Sequence, residues 1–279
     1  MELGISTFAE TLPDPHTGQT ITHAERLRDI VGEMEMADKV GLDVYAVGEH
    51  HRSDYAVSAP EVILAAGAAR TSSIRLSSAV TVLSSDDPVR VHERFAMLDG
   101  ISGGRAEIMA GRGSFIESFP LFGYDLNDYD ELFEEKLELL LQLQQGGPIH
   151  WEGKHRAPIN GLEVFPRPEQ TEMPIWIASG GTPDSTVRAG KLGLPIALAI
   201  IGGSPRNFAP LVELYKQTAA HAGHRIESLG IASHSHGFVW DTDEEAADLF
   251  FPSTRQGMNK IGSERGWGNY TRRSFDIAR

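Results

Sequence analysis

The feature that most constrains this chain is an alternation of short apolar runs with segments of helical periodicity, repeated seven times. The runs begin near residues 3, 43, 74, 106, 174, 195 and 230. LGISTF (Leu3–Phe8) precedes an amphipathic stretch from Thr22 to Val40, and DVYAVGEH precedes an alanine-rich helix from Pro60 to Ser73. IRLSSAVTVL leads to a helix from Pro88 to about Ile101. AEIMAGRG leads to DYDELFEEKLELLLQLQQ, whose early acids and closing Gly-Gly suit the helix dipole and C-cap. PIWIAS, PIALAII and IASHSHGFVW follow, with helices expected from Pro183, from Pro205 to about Ala222, and from Asp243 to about Phe250.

Strands that are apolar on both faces imply a parallel sheet covered by helices, and this many units predict an α/β fold of the TIM-type (β/α) barrel class. No G-x-G-x-x-G follows the first strand, which argues against a Rossmann sheet. IHWEGKHRAPINGLEVFPRPEQ breaks the rhythm and reads as a hairpin or extended insertion at about 146–172. Residues 253–279 read as an irregular tail, so the barrel is expected to lack its eighth βα unit at the C-terminus, within one domain over 1–279. The two unpaired edge strands this leaves favour a homo-oligomer.

Composition narrows the function classes. A net charge of −14 argues against nucleic acid, which needs clustered Lys and Arg. No apolar run reaches the ~18 residues of a membrane span, and MELGISTFAE has no secretory pattern. Zero cysteines exclude disulfides, thiolate metal sites and a cysteine nucleophile, and fit a cytoplasmic location. A small-molecule ligand is the expected partner.

In such a barrel the site lies at the carboxyl ends of the strands. Those ends read Glu49-His50-His51-Arg52, Ser77-Ser78-Ala79, Gly111-Arg112-Gly113, Ser179-Gly180-Gly181-Thr182, Gly202-Gly203-Ser204 and His234-Ser235-His236. The many small residues suit a flat ligand lying close to the backbone. Thr182 reads as an N-cap before Pro183, and the helix start with Ser179 and Ser185 makes an anion site to which Arg112 could add a charge. The same residues also read as a well-capped turn with Arg112 in a rim ion pair, and Asp184 counts against an anion.

Within EHH, alternation sends His50 and His51 to opposite faces unless the strand has already ended. His234 and His236 share a face, as a metal pair would, but no metal is expected, because an H-x-H of amidohydrolase kind belongs on a first strand. His150, His155, His221 and His224 are expected to be solvated, and at least one of Met34 and Met36 is core. Pocket walls are expected from the loops Glu10–Thr20 and Ser114–Asp125 and from the sixth strand end.

Three stretches, GLDVYAVGEHH (Gly41–His51), SSAVTVLSSDDPVRVHERFAMLDGISGGRAEIMAGRG (Ser77–Gly113) and PIWIASGGTPDSTVRAGKLGLPIAL (Pro174–Leu198), carry a resemblance. The chain resembles the bacterial luciferase-like monooxygenases, flavin-dependent oxidoreductases on a TIM barrel. The resemblance implies reduced FMN, supplied by a separate flavin reductase, with molecular oxygen and a small organic substrate. His50 matches the family's catalytic histidine, with Glu49 and His51 as its supporting shell. Ala79-Val80 matches the dipeptide beneath the flavin ring, often joined by a non-prolyl cis bond, and Gly111 and Arg112 match residues beside ring and phosphate. Ser179, Gly180 and Gly181 open the phosphate loop, continued by Thr182 or Ser185. A deazaflavin-dependent dehydrogenase and a non-catalytic flavin-binding or partner subunit are the alternatives, and a metallohydrolase is the third.

Overall fold

Two compact units make up the residues that the computed structural model describes, 1–113, 115–201, 203–266 and 268–278. Ser114 and Gly202, both expected at the rim of the site, lie outside the described residues.

The first unit comprises Met1–Thr11 and Thr22–Ala178. In chain order it holds β1 (Gly4–Thr7), α1 (His23–Val40), β2 (Val44–Val47), α2 (Pro60–Ala68), β3 (Arg75–Ser78), β4 (Thr81–Val82), α3 (Pro88–Ser102) and β5 (Ala106–Gly111). There follow α4 (Ser118–Phe122), α5 (Tyr129–Gln144), β6 (Ile149–Trp151), β7 (Ile159–Leu162) and β8 (Ile175–Ser179), whose last residue already belongs to the second unit. Strands β1, β2, β3, β5 and β8 pair in that order, all parallel. Every residue of β5 is buried, as a strand covered on both faces requires.

Local chemistry fixes the helix ends. Thr22 and Glu25 form a reciprocal capping box on α1, which stops at Gly41 with φ 82°. Asp87 caps α3 through the Val89 and Arg90 N–H groups, with Pro88 in the first turn. Helix α2 ends at Ala68, short of the expected Ser73. The Arg105 guanidinium donates to the carbonyls of Ala68, Thr71 and Ile74, and so turns the chain toward β3.

The insertion is an antiparallel hairpin of β6 and β7. Ile149, Ile159 and Val164 pack on Leu139 and Leu143 of α5, which is why the excursion stays folded. Its return is held by Asp99, fully buried, which accepts from the Gln170 amide N–H at 2.8 Å, from Gln170 Nε2 at 2.6 Å and from the Ala106 N–H at 3.2 Å.

The second unit comprises Leu12–Ile21 and Ser179–Arg279. It holds α6 (Pro183–Leu192), β9 (Ile196–Ile200), α7 (Ala209–His221), β10 (Ile231–Ser235), α8 (Asp243–Arg265) and α9 (Arg272–Ala278). β9 and β10 pair in parallel from Ile196↔Ile231 to Ile200↔Ser235. α6 and α7 cross so closely that a Cβ on Gly190 would stand 2.9 Å from the Tyr215 carbonyl oxygen. The last helices differ from the expected irregular tail. α8 is capped by Thr242 and continues through Pro252 to Arg265, and Phe275 of α9 packs edge-on against Phe250 and Phe251. Among the described residues no helix is long and apolar enough to cross a membrane.

Candidate active site

β2 ends at Val47, so Gly48 to Arg52 are free of strand alternation. Glu49, 8% exposed, uses both carboxylate oxygens: Oε1 accepts from His51 Nε2 at 2.9 Å and Oε2 from the Val82 N–H at 2.8 Å. His50 has a separate set of contacts. Its backbone N–H donates to the Val57 carbonyl at 2.9 Å, and its ring meets Phe8, Tyr55 and Phe115 at centroid distances of 5.4, 4.3 and 4.9 Å.

This aromatic box decides the protonation state. Burial pushes the His50 imidazole down to about 3, the neighbouring Arg52 and His51 act in the same direction, and Asp54 opposes them. The ring is therefore neutral near pH 7, and Nε2 is buried with no hydrogen-bond partner among the described residues. Gly48 makes room for it. A Cβ there would lie 2.7 Å from Phe8 Cδ1, 3.1 Å from the Ala79 carbonyl oxygen and 3.5 Å from His50 Nε2. The imidazole and the Ala79 carbonyl therefore border one small space that only glycine leaves open.

The third predicted strand is broken at that place. The Ala79–Val80 peptide bond is cis, and β4 resumes after it. Ser77 pairs with Glu107 and Thr81 with Ala110, so four steps on one strand face three on β5, which is a bulge. Ser78 repairs the ladder there. Its hydroxyl accepts from the Met109 N–H at 3.0 Å and from Thr81 Oγ1 at 2.9 Å, and donates to the Met109 carbonyl at 3.3 Å. That uses the whole donor and acceptor capacity of a hydroxyl. Gly111 lies under Val80, where a Cβ would be 2.8 Å from Cγ2.

Arg112 pairs with Asp130, and its guanidinium lies 5.1 Å from the Tyr129 ring centre, while Tyr129 donates to the Gly113 carbonyl at 2.7 Å. The rim ion pair is thus present. His50, Glu49, His51, Ala79, Val80, Gly111 and Arg112 all belong to the first unit.

The remaining predicted residues belong to the second unit. Ser179 and Ser185 are buried, Gly181 has φ +109°, and Pro183 opens α6. Thr182 stands at the N-cap position with extended backbone, but its hydroxyl donates to Ser185 Oγ at 3.1 Å instead of capping the helix. Among the described residues, no heavy atom outside its chain neighbours lies within 4 Å of where a Cβ on Gly180 would be. The Thr182 side chain thus makes no cap hydrogen bond to α6.

A family model for luciferase-like monooxygenases matches residues 1–276. The chain belongs to the luciferase-like monooxygenase family. It is 31% identical over 185 residues to the N-acetyl-S-alkylcysteine monooxygenase of Bacillus subtilis, covering 65% of this chain and 53% of that one. This luciferase-like chain spans about half the length of the first curated relatives it matches, 51% and 53%. Among solved structures it is similar to the oxygenating constituent of 3,6-diketocamphane monooxygenase from the CAM plasmid of Pseudomonas putida, solved with FMN. There the TM-score is 0.76 and the identity 21%, over 96% of this chain and 80% of that one. It is also similar to the coenzyme F420-dependent tetrahydromethanopterin reductase of Methanopyrus kandleri, with TM-score 0.73 and identity 21%, over 93% and 72%. The fold is the α/β barrel class that the strand–helix alternation predicts.

Sequence reasoning in this luciferase-like protein did not find Phe8, Tyr55 and Phe115, the three rings around His50. Phe8 closing the first apolar run and Phe115 heading an aromatic loop were the available signals. Phe119 of that loop is a core residue stacked on Tyr129, whereas Leu121 and Phe122 are exposed. His155, expected to be solvated, has a side chain only 11% exposed and lies 3.3 Å from Glu131. Met34 is core and Met36 exposed.

Proposed function

We propose that the protein is a flavin-dependent monooxygenase that uses reduced FMN and molecular oxygen on a small organic substrate, with His50 as its proton-handling group. The observation that carries this reading is the unpartnered, buried Nε2 of a neutral imidazole beside the Ala79 carbonyl, in a site of this family. The residues fit FMN. In the first unit Val80 and Gly111 offer a surface for a flat ring. Taken by itself, the Ser179–Gly181 turn of the second unit has the small residues of an anion-binding turn. In the second unit Thr182 and Ser185 would complete that turn. In the first unit Arg112, paired with Asp130, would stand beside the ring surface.

When bound, the flavin supplies the electrons that activate oxygen. His50 is neutral and can hold a proton or a substrate group by hydrogen bond at Nε2, while the burial that lowers its pKa makes it a weak base. Glu49 and His51 hold the backbone around it, and Phe8, Tyr55 and Phe115 exclude water. We place the protein in the cytoplasm as a homo-oligomer served by a separate flavin reductase.

A deazaflavin-dependent dehydrogenase is the second reading, favoured by the likeness in fold to an F420-dependent reductase. Titration of the purified protein with FMN and with the deazaflavin, read by fluorescence quenching and thermal shift, separates the two. Quenching by FMN followed by substrate-dependent oxygen uptake supports the first reading, and no response to either ligand rejects both.

A further inference from the structure

Lys136 is a charged residue on the buried side of α5. It sits among Leu132, Phe133, Leu137, Leu139, Leu140 and Leu143, and is itself 1% exposed. Its Nζ donates to the Ser84 carbonyl at 2.7 Å and lies 3.8 Å from the centre of the Tyr124 ring. The carboxylates of Asp86, Asp87 and Glu135 act on it through space, and each has other partners. Asp86 pairs with Arg94, Asp87 caps α3 and meets Arg156 at 3.2 Å, and Glu135 accepts the backbone N–H groups of Lys154, His155 and Arg156. The bond Lys136 makes is to main chain. Burial pushes its ammonium down to about 8 against those acids, so at neutral pH it is still charged and the bond to Ser84 is charge-assisted.

A buried ammonium is a costly way to fill a core, since a methionine would occupy the same space without desolvation. What the charge does locally is hold a turn. Ser84 lies two residues beyond Val82, whose N–H is held by Glu49 at 2.8 Å and whose carbonyl accepts from Ser85 Oγ at 3.3 Å. Val82 pairs with Gly111, and Val80 stands over the same glycine. The segment after the Ala79–Val80 bond is therefore gripped by Glu49 from the end of β2 and by Lys136 from α5.

We propose that Lys136 is a positioning residue that fixes the Val82–Ser85 turn and, through it, the Ala79–Val80 surface against which the flavin lies. The part that concerns flavin rests on the function proposed above. Lys136→Met keeps the volume and removes the charge, and Lys136→Gln keeps an N–H donor.

Lys136→Met removes a desolvation cost but leaves the Ser84 carbonyl without its donor, so the test is read in the turn and not in the melting temperature. Hydrogen exchange at the Val82, Leu83, Ser84 and Ser85 amides should quicken, and FMN should bind on the order of tenfold more weakly, the scale of one lost charged hydrogen bond. Lys136→Gln should recover part of that affinity. A lysine that is merely structural gives another pattern: exchange in the turn and FMN affinity unchanged while the variant is folded, whatever the melting temperature. That pattern overturns the proposal, as does a methionine variant indistinguishable from the parent. Should the parent protein bind neither FMN nor the deazaflavin, the flavin reading fails by itself. Exchange in the ligand-free Lys136→Met protein then still decides whether the lysine holds the turn.

Discussion

Glu49 Oε2 accepts the Val82 backbone N–H at 2.8 Å, joining the end of β2 to the strand residue that follows the cis bond. The other oxygen of the same carboxylate takes His51 Nε2 at 2.9 Å. Glu49→Gln leaves an oxygen for one donor and sets an NH2 against the other. The expected outcome is a loss of about 1–3 kcal/mol in unfolding free energy, the cost of a buried donor left unsatisfied. Urea denaturation measures it, and an unchanged midpoint with unchanged slope would refute the bridging role.

His50→Ala removes the imidazole while Gly111 and Val80 of the same unit remain. FMN should still bind, and coupled turnover should fall by roughly 10²-fold or more, the usual worth of a general acid or base. Oxygen uptake with reduced FMN across a panel of small organic substrates reads this directly. Equal turnover in the variant rejects the assigned role.

The same residue predicts how the fold responds to acid. Unfolded, the imidazole binds a proton below about 6.5, while the folded protein holds it down to about 3. Between those values the unfolded chain binds more protons, so the His50 contribution to stability falls as pH drops from 6.5 toward 3 and is restored as pH rises again. In His50→Leu that contribution is absent. Melting temperatures collected from pH 4 to 7 should therefore fall less steeply in the variant than in the parent.

Gly190 offers a test in the second unit. Alanine gains about 1 kcal/mol of helix propensity over glycine. Here, however, its Cβ would stand 2.9 Å from the Tyr215 carbonyl oxygen and 3.2 Å from the Ala219 nitrogen, both backbone atoms of α7. Backbone cannot step aside as a side chain does, and overpacking costs about 1–3 kcal/mol, so the clash should win. Gly190→Ala should lower the melting temperature, and a rise would show that α6 and α7 can separate without cost.

The order of elements was readable because period and punctuation agree. Thr22 and Gly41 bracket α1, and Pro88 and Gly103 bracket α3, as their caps demand. The extent of α8 was not readable, since Pro252 argued for a stop that the structure does not make. Where the side chains of EHH lie depended on β2 ending at Val47, a boundary that sequence patterns place only loosely. The break at Ala79–Val80 did not show in the alternation of the apolar run; the cis bond there was expected from the family resemblance alone. The pairing of Arg112 with Asp130 joins residues from different elements, and was open as one of two readings. Lys136 was legible in principle, because Leu132, Lys136 and Leu140 share the i, i+4 stripe that faces the core.

Asp99 ties the far end of the insertion to β5 through Gln170 and Ala106. The polypeptide between Gln144 and Gln170 therefore departs and comes back at two fixed posts, one at the end of α5 and one at a sealed carboxylate. Its span can lengthen, shorten or change character without shifting the place where β8 enters the sheet. Evolution could rewrite that excursion freely while the neighbouring chemistry stays in register.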